Sequence, residues 1–216
     1  MSRLSRVLAV AVVALGVAAP SAAAVPGKEL GSTLGAMWQT VLETPTPQNP
    51  FGGGAPLCVD LGGVVAPVGA PGVSSITCTV KPGTKVFVAA WSAECSTLEG
   101  PPCFGSNEAD LRASARASNA EVTTINVVLD GTRVPVTEVT SGLLRLDLPA
   151  DNIFKAPAGT GPPEMPYLSV ADGWVALLHP LTPGTHTIAL DISGEFPPGT
   201  ELDIHNTTTI IVEPGL

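Results

Sequence analysis

From residue 57 onward, apolar and polar positions mostly alternate with a period of two, in runs of five to eight residues separated by Gly- and Pro-containing breaks. This pattern predicts strands near 57–61, 73–80 and 85–91, the last two joined as a hairpin through Pro82-Gly83, with Cys78 inside the sheet. Residues 122–129 and 132–136 flank Asp130-Gly131, a dipeptide that tolerates positive φ and suits a type I′ hairpin turn. Leu144, Leu146 and Leu148 share one strand face, and 174–179 is apolar on both faces, as in a central strand between two layers. A turn through 181–184 leads into a strand at 186–192, and Leu202, Ile204, Ile210 and Val212 fall in one phase of a last strand.

Two stretches depart from this period. Leu30, Leu34, Met37, Trp38 and Val41 recur at helical spacing, which predicts an amphipathic helix over 32–43 stopped by Pro45 and Pro47, with Trp38 as a packing anchor. Asn107 can cap a second helix running to about residue 118, with Glu108 and Asp110 in its first turn and Glu108 four residues before Arg112. Residues 45–56 and 153–166 have no period and read as irregular connections. At least eight strands, one or two short helices and no βαβ rhythm predict a mainly β fold: an antiparallel β-sandwich of the jelly-roll or immunoglobulin-like kind.

The first 24 residues stand apart. Arg3 and Arg6 precede an uncharged apolar run over 7–19, then Pro20 and Ala22-Ala23-Ala24, the order of a secretory signal peptide cleaved after Ala24. The run covers about 20 Å as a helix against the roughly 30 Å of a bilayer core, so no retained membrane anchor is expected. The expected organisation is a signal peptide at 1–24, an N-terminal helix and crossing segment at 25–56, and a β-sandwich domain at 57–216, in a secreted, extracellular protein. The net charge of −9 grows more negative once Arg3 and Arg6 are gone, which disfavours nucleic acid as a partner.

An oxidising compartment would pair the four cysteines, Cys58, Cys78, Cys95 and Cys103. Of three connectivities, Cys58–Cys78 with Cys95–Cys103 joins near neighbours, and Gly100-Pro101-Pro102 can turn the second loop. Neither Cys-x-x-Cys spacing nor a nearby His supports a zinc site there. Trp38, Gln48-Asn49-Pro50, the run from Cys78 to Val88, Glu94-Cys95-Ser96, Asp172-Gly173-Trp174 and the run from Pro180 to Ile188 together resemble a family of secreted bacterial proteins of unassigned function. That resemblance implies an exported all-β domain and the Cys58–Cys78 pairing, and it supplies no reaction, substrate or catalytic residue. Residues 61–72 are Gly- and Ala-rich where such relatives carry a longer aromatic stretch, so it implies no ligand role for that stretch.

The candidate chemistry is sparse. A four-residue loop at 181–184 would set His179 opposite His186, the start of a zinc or copper site lacking a third ligand. Glu94, Glu99 and Glu108 surround the Cys95–Cys103 loop, where two carboxylates could serve a polysaccharide hydrolase. Trp91, beside Glu94, and Trp174 are candidate ligand-stacking platforms. No nucleophile elbow, zinc-protease motif, phosphate loop or dinucleotide fingerprint occurs. The expected function is therefore a non-catalytic binding or interaction module without a cofactor, its partner a glycan or a cell-surface protein; the alternatives are a hydrolase using acids near Glu94 and a metal-holding protein using His179 and His186.

Overall fold

The computed structural model describes residues 27–196 and 199–215. The signal-peptide reading of residues 1–24 lies outside them. The fold is mainly β, with two sheets that share one core. The first sheet contains β1 (Leu57–Asp60), β2 (Val64–Val68), β4 (Lys85–Ser96), β7 (Thr137–Thr140), β8 (Leu144–Arg145) and β9 (Leu168–Leu178). Its order is β1-β2-β4-β9-β7, with β8 also pairing β9. The second sheet is ordered β3 (Ser75–Val80), β11 (Glu201–Val212), β10 (Gly184–Glu195), β5 (Val122–Leu129), β6 (Thr132–Val134).

Alternation builds the core between the sheets. Val86 and Val88 of β4, Ala176 and Leu178 of β9, Ile76 and Val80 of β3, Ile188 of β10 and Ile210 and Val212 of β11 all bury into one cluster. The opposite faces of β4 and β9 are apolar too, because a helix covers them. Helix α1 (Gly27–Leu42) lays Leu30, Leu34, Met37, Trp38 and Val41 on Phe87, Ala171 and Val175. It starts earlier than the periodicity placed it, since Leu30 already belongs to the buried stripe. Buried Asn49 then donates from Nδ2 to the Val41 carbonyl at 2.6 Å and accepts from the Phe51 N–H at 2.9 Å. The aperiodic 45–56 segment is thereby fixed to the end of α1.

Helix α2 (Glu108–Asn119) follows its sequence signals: the side-chain Oδ1 of Asn107 accepts from the N–H groups of Ala109 and Asp110, and Arg112 meets Glu108 at 2.6 Å. The Asp130-Gly131 turn has φ of 48° and 80°, as a type I′ hairpin requires, and joins β5 to β6. Leu144, Leu146 and Leu148 are buried on one face as read, although only Leu144 and Arg145 pair with β9.

Two expected hairpins are not formed, and a purely antiparallel sheet is not found. β3 pairs in parallel with β11, while β4 pairs in parallel with β2 and antiparallel with β9. β9 and β10 likewise lie in different sheets. The physical reason is common to both: Pro82-Gly83 and Pro183-Gly184 turn the chain, but the apolar residues on either side face one core from opposite sides. Each turn therefore crosses between layers instead of closing a ladder. Both disulfides are as near-neighbour pairing suggests. Cys58–Cys78 ties β1 of the first sheet to β3 of the second, and Cys95–Cys103 closes the loop after β4.

Candidate functional site

β2 accompanies β4 only at Lys85 and Val86 and then diverges. On that side of β4, the next backbone partner among the described residues is Cys103, whose carbonyl accepts from the Ser96 N–H at 3.2 Å. A length of strand edge between these points opens onto a cavity of about 660 Å³, within the 300–1,000 Å³ typical of ligand pockets. Its walls come from both faces of β4. On the inter-sheet side lie Val88, Ala90, Ile188, Leu190, Ile192 and Ile204; on the helix side lie Met37, Trp38, Phe51 and Phe154. Residues 67–72, from which no ligand role was expected, form part of the wall together with Val73.

A register shift in β4 between Ala89 and Trp91 aims the polar and aromatic groups. Before it, the odd residue Phe87 faces α1; after it, the even residue Ser92 does, and its hydroxyl oxygen accepts from Trp38 Nε1–H at 3.0 Å. Opposite Ser92 stands Gly173, where an added Cβ would fall 2.3 Å from the Trp91 carbonyl oxygen and 2.5 Å from the Ser92 Cβ. Only glycine fits between the strands there. Trp91 pairs with Trp174 across the ladder and meets Phe196 edge-on, ring centroids 5.1 Å apart. Its Nε1–H is buried and has no hydrogen-bond partner among the described residues. The Asn206 Oδ1 on the same cavity wall is in the same condition. Each such buried, unsatisfied group costs roughly 1–3 kcal/mol, and both lie behind the cavity surface rather than open to it.

Glu94 and Glu99 mark one end of the cavity. Glu94 is 8% exposed, and the Ser169 hydroxyl donates to its Oε1. Burial, and then the neighbouring Glu99, push its carboxyl well above the usual carboxylate range. Glu99 accepts from the Ser96 hydroxyl at 3.0 Å, and burial raises it to about 7 in spite of that bond. The two carboxyls lie close enough for each to influence the other, and with both raised the pair retains proton toward neutral pH. Glu108 is not part of this group; it sits on α2 with Arg112.

The remaining sequence candidates separate. Trp174 is half-buried beside Trp91 and does not line the cavity. His179 is exposed in the crossing between layers, and the facing His179–His186 pair lapses with the hairpin it needed. His186 instead meets Asp130 Oδ2 through Nδ1 at 2.6 Å and the Thr182 carbonyl through Nε2 at 2.8 Å. Acceptors on both nitrogens favour the protonated imidazole, and the Asp130 hydrogen bond foremost raises its pKa. Among the described residues no group of three His, Cys, Asp or Glu side chains is placed to hold a metal ion. Buried Asp172 is bound by Thr140 and Asn119 and pins α2 across β9.

Sequence reasoning passed over Phe51, Phe154, Leu190, Ile204 and Asn206 as site residues. The aromatic pair had one available signal, since each stands alone in a Pro- and Gly-rich segment where no core periodicity calls for it.

No family model and no curated protein matches the chain. Among solved structures, a cysteine protease inhibitor from Entamoeba histolytica is 12% identical over 67% of this chain and all of that one, with a TM-score of 0.25. Amebosin is 10% identical over 65% of this chain and 98% of its own, with a TM-score of 0.19. Likeness at this level defines no shared fold.

Proposed function

We propose that this chain is a secreted, non-catalytic binding module that takes an elongated, mainly apolar small molecule into the cavity beside β4. The observation that carries the reading is a ligand-sized space with aliphatic and aromatic walls. Such walls favour an apolar ligand over the glycan that accessible tryptophans suggested. Export rests on the leader at 1–24. Two disulfides support it, and no helix among the described residues is long and apolar enough to cross a membrane. The likeness to secreted bacterial proteins of unassigned function belongs to the same proposal.

The hydrolase alternative fares less well on geometry. Carboxyl groups that attack a glycosidic bond flank it from two sides, whereas Glu94 is buried and bound by the Ser169 hydroxyl, and Glu99 is bound by the Ser96 hydroxyl on the same side of the cavity. The test is titration with N-phenyl-1-naphthylamine, a neutral dye that fluoresces in apolar surroundings. The wild-type protein is expected to bind one dye saturably, and Leu190→Trp, which fills the space from β10, to weaken it at least tenfold while melting within about 2 °C of wild type. Non-saturating fluorescence, or a Leu190→Trp variant that binds like wild type, would overturn the reading.

A further inference from the structure

Resting on that reading, we infer that the ligand carries a protonated amine on its apolar body and that the Glu94–Glu99 pair receives it. Among the described residues, the cavity lining includes these two carboxyl groups and no Lys, Arg or His. The charged side chains they contribute are thus both acids, set against a wall that is otherwise mainly apolar. The Ser169 hydroxyl takes one oxygen of Glu94 and the Ser96 hydroxyl one of Glu99, and no basic side chain among the described residues bonds the others. An ammonium group supplies up to three donors and no acceptor, which matches that requirement. A carboxylate ligand would add a third acid to a desolvated pair, and an alcohol would gain no charge attraction.

The chemistry balances without a co-reactant. Near neutrality the raised carboxyls still hold proton; when the ammonium arrives, all that remains on them passes to solvent and both carboxylates face the cation. Binding should therefore release proton at pH 6 and release less at pH 8, where Glu99 has already lost most of its own.

Octylamine, octanol and octanoate, matched in chain length, are to be compared as displacers of the naphthylamine dye. The amine is expected to displace it at least tenfold more effectively than the alcohol, and octanoate least of all. In Glu99→Gln, shown to be folded by circular dichroism, amine and alcohol should displace with the same midpoint. Calorimetry in two buffers of different ionisation enthalpy reads the proton release independently of the variant. Equal displacement by wild-type amine and alcohol, or an amine preference that survives in Glu99→Gln, would overturn this inference and leave the binding reading standing. Failure of the dye to bind at all would overturn both.

Discussion

Replacing Cys58 and Cys78 together by alanine is expected to lower the melting temperature by roughly 6–12 °C. The bridge spans 20 residues, and removing a loop constraint of that size from the unfolded chain costs about 3 kcal/mol on the chain-entropy account; each kcal/mol corresponds to about 2–4 °C in a domain of this length. The native state loses something as well, because this bond joins the first sheet to the second at β1 and β3, and Cys78 is fully buried among Ile76, Val80 and Ile210. Scanning calorimetry of the double variant beside wild type measures the effect. A change below 2 °C would mean that the two edges are held by packing alone.

The second large effect is in pH. Between about pH 4.5 and 7 the folded protein keeps a proton on Glu99 that the unfolded chain has already released, because burial raises that carboxyl to about 7. Unfolding then releases a proton, so stability falls as pH rises through this window and levels above it. Glu94 acts in the same direction. The loss between pH 5 and pH 8 is expected to be on the order of 2–3 kcal/mol, or roughly 5–10 °C in melting temperature. His186 and His205 have the same sign: raised by their aspartate partners, they stabilise at low pH and lose that contribution as pH rises. The lowered carboxyls of Asp130 and Asp191 matter only at more acid pH. The decisive comparison is therefore with Glu99→Gln, whose melting temperature should vary with pH by less than half as much. A variant with the wild-type slope would place the origin in the histidines and remove the carboxyl pair from the account.

Local chemistry was readable in the sequence wherever neighbouring residues decided the outcome. Asn107 caps α2, Asp130-Gly131 turns β5 into β6, and the stripe from Leu30 to Val41 faces the sheet. Near-neighbour cysteines pair because the chain between them returns on itself. What the sequence did not reveal was long-range partnership. Pro82-Gly83 has the same local form whether it closes a hairpin or crosses between layers, and the difference rests on β11 arriving beside β3 more than 120 residues later. The His179–His186 reading failed for this reason. β2 was missed because Ala66 and Pro67 interrupt its β-formers.

The site was legible only in part. Trp91 and Glu94 were named, yet period-two counting along β4 puts them on the wrong faces, because the register shift at residues 89–91 leaves no mark in composition. Glu99 and Glu108 looked equivalent around the loop, and only the Ser96 and Ser169 hydroxyls show which of them joins Glu94. The cavity itself arises from the divergence of β2 from β4, a property of the assembled sheet that no short stretch of sequence encodes.

The claim on which the rest depends is that this space takes up an apolar molecule. Methyl-resolved NMR of the Ile and Leu side chains during the naphthylamine titration tests it most directly. Saturable shifts are expected at Ile188, Leu190, Ile192 and Ile204, together with the Trp91 indole N–H, while Leu146 and Leu148 beneath α1 stay in place. Shifts scattered over exposed residues such as Ile211, with the four cavity methyls and the indole unmoved, would contradict it.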